Sequence, residues 1–344
     1  MTRRNGSRLA LLAGALTIMG AAACSSSTQT PISPMDASSD ASNPSDASPP
    51  VSDALPQVIE ASVLGTTCVM PNPASSGLPN PAMYDTSIAG TVFDRLTGLM
   101  WQRSASSATL SQAAAAAACQ ASLLGGYTDW RLPTVLELVS IVDYTATSPS
   151  IDSVVFPGTT ANLFWTKTPL AGRPHEAWYV NFIQGGTNVV DTSDFNLYRC
   201  VRTALNMAGT CYAAGARFKM DAGTVTDAST GLVWQQMAAP AMTWAAAKAS
   251  CTAAGAPFRL PSLKELQSIV DYGMAYVGPG PAIDATAFPG TPVGAYWTSS
   301  AFSGSDSVAW MVRFSYGDTA SSAVVATPAQ PLIQTDPKYV RCVH

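Results

Sequence analysis

The sequence predicts an α+β protein built from two tandem copies of one domain, each with two helices packed on an antiparallel sheet and closed by a disulfide. Three observations support this prediction. An ordered series of motifs occurs twice, each copy combines two segments bearing helix signals with several β-prone runs, and each copy places one cysteine in its first predicted helix and another in its last predicted strand. Helices and strands in separate segments are typical of α+β domains.

The repeated motifs define the two copies. The pattern Thr-Val-x-Asp-x-x-Thr-Gly-Leu-x-Trp-Gln occupies residues 91–102 and returns at residues 224–235. The pattern Arg-Leu-Pro-Thr/Ser-x-x-Glu-Leu occupies residues 131–138 and returns at residues 259–266. Shorter matches follow in the same order. A whole domain separates the copies, whereas solenoid units repeat every 20 to 50 residues or so, so the pattern indicates a domain duplication.

Each copy has two predicted helices. The first covers residues 110–123 in one copy and 243–254 in the other, because alanine, the strongest helix former, is frequent in both segments and glycine follows each. The second helices begin at Thr134 and Ser262, where Thr-x-x-Glu and Ser-x-x-Glu form capping boxes. Apolar residues at helical spacing after each box predict a buried face: Leu138, Ile141 and Val142, then Leu266, Ile269 and Val270.

The remaining β-prone runs predict strands. A hairpin around a Thr-Gly turn is expected at residues 91–94 and 99–103. Three later strands are expected in each copy, at residues 163–168, 177–183 and 197–203, and at residues 295–299, 308–314 and 339–343.

The N-terminus has the features of an export signal. Basic residues precede a fifteen-residue apolar run that is too short to span a bilayer. The run ends in Ala-Ala-Ala-Cys, which resembles the lipobox of bacterial lipoproteins, although Ala21 stands where that family prefers leucine. We expect a signal peptide at residues 1–23 and a lipid on Cys24 that anchors the chain to a membrane, with ordinary cleavage leaving a free cysteine as the alternative. Ser25 resembles lipoproteins sorted to an outer membrane, on its periplasmic or outer face.

The segment after the signal predicts a disordered tether. Residues 24–60 consist almost wholly of Ser, Ala, Asp, Pro and Thr, with no basic and no aromatic residue. Such a segment cannot bury enough apolar surface to offset its ordering entropy. The two domains are therefore expected at residues 61–204 and 205–344, each long enough to bury its own core.

The cysteine positions predict the disulfides. Six cysteines remain apart from Cys24, and export to an oxidising compartment favours their pairing. The placement on first helix and last strand favours two bonds, Cys119 with Cys200 and Cys251 with Cys342. The remaining two, Cys68 and Cys211, would pair with each other, although six cysteines permit many other connectivities.

Composition excludes several classes of function. Only 12% of the residues are charged and the net charge is −4, so no surplus of cations exists to bind nucleic acid. With two histidines and no Cys-x-x-Cys, neither a metal site nor a cofactor is expected. After Glu60 the chain has 17 acidic and 15 basic residues, and no run gathers the basic ones.

Together the motifs resemble the Lcl C-terminal domain family, named after a bacterial collagen-like adhesin, over both copies. The Arg-Leu-Pro-Thr-x-x-Glu element is also distantly similar to formylglycine-generating enzymes, which implies a C-type-lectin-like fold with a similar helix-to-strand disulfide. The second copy has Phe258 for Trp130, and His344 where the first has Arg202. The named adhesin binds sulfated glycosaminoglycans, but the scattered cations of this chain argue against that ligand here.

Two motif pairs have a catalytic alternative. Arg131 with Glu137, and Arg259 with Glu265, could act as catalytic ion pairs. Because each glutamate occupies the third position of a capping box, a structural role is favoured.

Other motif residues have a binding alternative. Repeated tryptophans in β-rich domains belong to the core more often than to a sugar-stacking platform, and the candidates are Trp101, Trp130, Trp165 and Trp178. Loop aromatics such as Tyr276 and Tyr316 are then freer to contact a ligand. Asp191 and Asp194 are weak candidates for calcium.

The sequence therefore predicts a binding or adhesion module of the cell envelope, and not an enzyme. It would recognise an extracellular ligand, a carbohydrate being one candidate, through loops on a rigid scaffold. The alternatives are a relative of the formylglycine-generating enzymes, whose chemistry requires reactive cysteines, and a purely structural envelope lipoprotein. The ligand-contacting residues and the oligomeric state are not specified.

Replacing Cys24 by alanine should release the protein from membranes, because the acyl chains are the expected anchor. Detergent phase partitioning of the wild type and of Cys24→Ala measures this. Retention of the variant in the detergent phase would refute the lipid assignment.

Overall fold

The computed structural model describes residues 70–74, 76–204, 217–273, 280–303, 305–314 and 337–344. The chain divides into two units, Met1–Val58 and Ile59–His344, and every described residue lies in the second. The predicted signal peptide and tether lie outside the described residues, as do Cys24, Cys68, Cys211, Tyr276 and Tyr316.

The four predicted helices are present and shorter than expected. They are α1 (Gln112–Gln120), α2 (Val135–Ser140), α3 (Trp244–Ala253) and α4 (Leu263–Ser268). Both capping boxes form: the Thr134 hydroxyl accepts from the Glu137 N–H at 3.1 Å, and the Glu137 carboxylate accepts from the Thr134 N–H at 2.7 Å. Ser262 and Glu265 repeat this exchange. Among the described residues, no helix has the length and apolarity needed to cross a bilayer.

The strands form two sheets in each copy, where the sequence predicts one. In the first copy the strands are β1 (Tyr84–Asp85), β2 (Thr91–Asp94), β3 (Leu99–Gln102), β4 (Leu163–Leu170), β5 (Arg173–Asn181), β6 (Thr187–Asp191) and β7 (Val201–Thr203). One sheet has the order β1-β2-β3-β7 and the other the order β4-β5-β6. A single parallel bridge, Phe164 with Leu197, joins β4 to the chain before β7, so the sheets remain separate.

The second copy also has two sheets, but its last strand lies in the sheet that does not contain the hairpin. Its strands are β8 (Phe218–Asp221), β9 (Thr224–Asp227), β10 (Val233–Gln235), β11 (Ala239–Met242), β12 (Ala295–Phe302), β13 (Ser305–Arg313) and β14 (Lys338–Val340). One sheet has the order β10-β9-β8, and the other has the order β11-β14-β12-β13. β12 and β14 pair in parallel, as Phe164 and Leu197 do in the first copy. The predicted α+β class and the tandem arrangement are thus confirmed.

Each copy contains the disulfide that links its first helix to its end. Cys119 in α1 joins Cys200, and Cys251 in α3 joins Cys342, with Cα atoms 5.4 Å apart in both. These are the two pairs favoured from the sequence. Each lies in a small buried cluster beneath the first helix of its copy.

The largest apolar cluster belongs to both copies, whereas the sequence predicts a separate core for each domain. It contains Leu138 and Ile141 of the first copy together with Leu266 and Ile269 of the second. The reason is geometric: α2 and α4 are six residues long and pack against each other. Such short helices bury their apolar faces by facing each other.

Equivalent residues make reciprocal contacts across this junction. The ring of Tyr144 packs edge-on against Trp310 at 5.2 Å, and its counterpart Tyr272 packs edge-on against Trp178 at 5.1 Å. The Tyr144 hydroxyl also lies 3.1 Å from the Gln267 side-chain oxygen. The copies therefore meet about a local two-fold axis.

Gly185 tests how tightly the junction is packed. It has a φ of +94°, and a Cβ there would lie 2.7 Å from both Tyr144 Cε1 and Val142 Cγ1. Gly223 has a similar φ of +90° with nothing within 4 Å of such a Cβ.

Gly223→Ala should destabilise the protein by about 1 to 2 kcal/mol through backbone strain alone. Gly185→Ala should destabilise it by about 1 to 3 kcal/mol more, through overpacking. Urea unfolding of both variants measures this, and equal losses would refute it.

Candidate functional site

The buried arginines before β7 and at the end of the chain have the same role in both copies. Arg199 donates to the carbonyls of Gln102 and Arg103, and its other terminal nitrogen lies 2.7 Å from the Thr159 hydroxyl. Arg341 makes the equivalent bonds to two carbonyls and to Thr291. Burial lowers the pKa of Arg199 to about 9. These side chains tie strands together and are not exposed to a ligand.

The Arg-Leu-Pro motif pairs are also structural. Arg131 donates to both carboxylate oxygens of Glu137, at 2.8 and 2.7 Å, and Arg259 does the same to Glu265, at 2.7 Å each. Burial acts to raise the pKa of Glu137, but the hydrogen bond and charge of Arg131 outweigh it, so the pKa lies below its usual value. Each carboxylate is saturated by its arginine and its helix cap. This confirms the structural interpretation.

The motif tryptophans are core residues, as predicted. At most 2% of the surface of each residue is exposed in the set Trp101, Trp130, Trp165 and Trp178. No described motif tryptophan of the first copy can stack on a sugar.

The copies differ where an ion pair is expected. In the second copy, Arg217 makes a two-bond contact with Asp227, at 2.9 and 2.6 Å, and also donates to the Ser268 carbonyl at 2.8 Å. The first copy has Met83 in the place of Arg217. The Met83 carbonyl accepts from the Arg95 N–H, and the Arg217 carbonyl accepts from the equivalent N–H, that of Ala228. Asp94, the counterpart of Asp227, therefore lacks this arginine.

Lys264 of the second copy supplies the missing cation from across the junction. It occupies the position of Leu136 in the aligned motif, and only 2% of it is exposed. Its Nζ donates to the Ser140 carbonyl at 2.7 Å and to the Pro71 carbonyl at 2.5 Å. Ser140 is the counterpart of Ser268, so the last residue of each short helix has its carbonyl bound by a cation. The cation comes from the opposite helix at Ser140 and from the residue before β8 at Ser268.

This exchange changes the electrostatics of the first copy. Burial works against ionisation of Asp227, but Arg217 outweighs it and the pKa of Asp227 is lowered. Burial raises the pKa of Asp94, and this effect outweighs the hydrogen bonds from Thr97 and Leu96 and the charge of Lys264. Burial also lowers the pKa of Lys264 to about 7, against the opposing charges of Asp94 and Asp143. Lys264, which the second copy places beside Asp94, is therefore close to the midpoint of its titration at neutral pH.

A cavity of about 260 Å³ lies beside this lysine. Its wall combines the segment before β1, the residues after α2 and one side chain of the second copy. The lining residues are Asn72, Pro73, Ala74, Ala82, Tyr84, Ile141, Val142, Asp143, Asp152 and Lys264. Five of them have polar side chains that could contact a ligand: Asn72, Tyr84, Asp143, Asp152 and Lys264.

None of these five residues was predicted from the sequence to be part of a site. The available signal was a difference between the aligned copies at two positions. Lys264 of the second copy aligns with Leu136 of the first, and Met83 of the first copy aligns with Arg217 of the second. That signal shows that a buried charge has moved, but it cannot show that the change opens a cavity.

The calcium candidates form a turn. Asp191 Oδ1 accepts from the N–H and the hydroxyl of Ser193, at 2.9 and 2.7 Å. These hydrogen bonds lower the pKa of Asp191. Within the described ranges, no three His, Cys, Asp or Glu side chains gather into a group that could hold a metal ion.

The same turn presents an exposed aromatic ring. Phe195 is 70% exposed, although its loop is fixed on both sides. Thr192 receives a hydrogen bond from the Gln112 N–H, and Asn196 exchanges two backbone hydrogen bonds with Leu110. A rigid loop that exposes a large apolar side chain is a candidate ligand contact.

Most of the basic residues after Glu60 are paired with carboxylates or buried. Six form salt bridges with carboxylates, namely Arg95, Arg131, Arg173, Arg202, Arg217 and Arg259. Arg199, Lys264 and Arg341 are buried. The other six basic residues after Glu60 lie at separated positions in the sequence.

Replacing Lys264 by methionine should alter the pH dependence of stability. Its folded pKa of about 7 lies below the ordinary 10.5, so folding releases a proton and wild-type stability rises with pH between these values, by up to about 1.4 kcal/mol per pH unit. We expect Lys264→Met to lack this rise, and the exposed Lys219→Met to retain it. Denaturant unfolding at pH 7, 8 and 9 measures this; parallel profiles for all three proteins would refute it.

Comparison with known proteins agrees with the duplicated motifs. The sequence pattern of the Lcl C-terminal domain matches residues 90–202 and again residues 223–344. No curated protein sequence matches the chain. The two matches cover more than half of the chain and coincide with the two copies in the structure. The chain therefore belongs to the Lcl C-terminal domain family.

Proposed function

We propose that the protein is an exported, lipid-anchored binding or adhesion module of the cell envelope. The observation that carries this proposal is that the motif side chains common to both copies are buried or engaged in contacts within the protein. Their arginines, glutamates and tryptophans hold strands and helices together, so binding falls to surface positions that differ between the copies. The adhesin-like character of the family supports the same conclusion.

The loop of Phe195 is the best-defined surface contact. Its backbone is fixed before a ligand arrives, so binding would cost little ordering entropy. An exposed phenyl ring can pack on the apolar face of a sugar or on an apolar side chain. We assign Phe195 as a ligand contact of the first copy.

The ligand is uncharged or weakly charged under this proposal. Most of the cations are neutralised by carboxylates or buried, and a sulfated polysaccharide requires a dense basic surface. Binding should then rest on apolar contact and hydrogen bonds, which salt screens little.

The enzyme alternative has less support. Chemistry of the formylglycine-generating kind requires reactive cysteines. The four described cysteines are joined in two buried disulfides.

Phe195→Ala should weaken binding to an array of neutral glycans several-fold to tenfold, about 1 to 1.4 kcal/mol. Leu123→Ala is the matched control, because Leu123 is also 70% exposed in a loop, and it should bind as the wild type does. The arrays are read with the full chain at low and moderate salt, with heparin included. Binding to heparin alone that disappears with salt would contradict the proposal, as would an absence of binding to every glycan.

A further inference from the structure

We propose that the cavity between the two copies is a subsite for a single uncharged, hydroxyl-bearing ring of pyranose size, such as a terminal residue of a neutral glycan. This inference rests on the proposed binding function and gives its ligand a chemical class and a place. It adds a second contact region to that of Phe195.

The dimensions suit one ring. The cavity volume of about 260 Å³ lies below the roughly 300 to 1,000 Å³ of sites for drug-sized ligands. Its walls are mixed: Pro73, Ala82, Ile141 and Val142 offer apolar surface, while other side chains offer polar atoms. Pyranose rings present the same mixture, with apolar C–H faces and a rim of hydroxyls.

The polar atoms have unused hydrogen-bonding capacity. Lys264 uses two of its donors, on the Ser140 and Pro71 carbonyls, so an ammonium at Nζ has a third N–H without an acceptor in the described part of the chain. Asp143 and Asp152 each use Oδ1 in a turn, accepting from backbone N–H groups. Their Oδ2 atoms receive no hydrogen bond from any described residue. A nearly buried lysine donor beside two carboxylate acceptors can bind vicinal hydroxyls, each of which donates and accepts.

Charge selects against anionic ligands. Two carboxylates without an arginine partner repel an anion, but they outnumber Lys264 and do not exclude an ammonium group, which is the competing ligand in the test. A neutral ligand avoids the repulsion. Donation from its hydroxyls to Asp143 and Asp152 gives charge-assisted hydrogen bonds.

The second copy provides the matched control. Asp271 and Asp284 are the counterparts of Asp143 and Asp152, and each likewise accepts backbone N–H groups in a turn. Neither lines this cavity. Asparagine at any of the four positions retains the turn acceptor and removes the charge.

The test uses the full chain in mild detergent and ligand-observed NMR titration with methyl glycosides of neutral hexoses and N-acetylhexosamines. Asp143→Asn and Asp152→Asn should each raise the dissociation constant at least threefold, while Asp271→Asn and Asp284→Asn leave it unchanged. Ala74→Trp, which places a large ring at an exposed rim position, should abolish binding without unfolding the protein.

Several outcomes would overturn the inference. Equal affinity of all four asparagine variants would place the ring elsewhere, and binding of putrescine but no glycoside would mean that the site selects amines. If Phe195→Ala weakens binding to the glycan array and Ala74→Trp does not, the proposed function stands and this subsite is refuted. A chain that binds no glycan on the array and no glycoside in the titration refutes both.

Discussion

The junction between α2 and α4 is the constraint on which the rest of the described structure depends. Each helix has six residues, too few to be stable without tertiary packing. Each is held by a capping box, by a two-bond arginine contact and by the opposite helix. Because the largest apolar cluster crosses this junction, the two copies share one core. The disulfides lie in two smaller buried clusters that are separate from the shared core.

Much of this architecture could be predicted from local chemistry. The capping boxes at Thr134 and Ser262 mark both short helices, and the repeat register locates the hairpins and the cysteine pairs. The prediction failed where long-range packing decides. β6 contains Asn188 as its second residue and β11 contains Pro240, so neither segment has a clear strand pattern. The shared core could not be predicted either, because an apolar stripe shows that a face is buried but not which surface covers it.

The same limit applies to the candidate site. The sequence correctly indicates that Arg131, Glu137 and the motif tryptophans are structural, because a repeated motif marks what both copies need in order to fold. It does not reveal Lys264, whose meaning depends on the first copy, more than a hundred residues earlier in the chain. A lysine within a capping-box helix looks like an ordinary surface residue until the opposite helix covers it.

Duplication explains why a site can arise at this place. A two-fold junction with identical halves would give two equivalent environments, each with its own arginine and carboxylate pair. Because Met83 stands where the second copy has Arg217, Asp94 is without that partner, and Lys264 on the opposite helix brings a cation from another direction. The lysine reaches the Ser140 carbonyl along a different path from the one Arg217 takes to Ser268, and a cavity lies along that path. The asymmetry between the copies thus accompanies a cavity beside Lys264, while the motifs common to both copies maintain the fold.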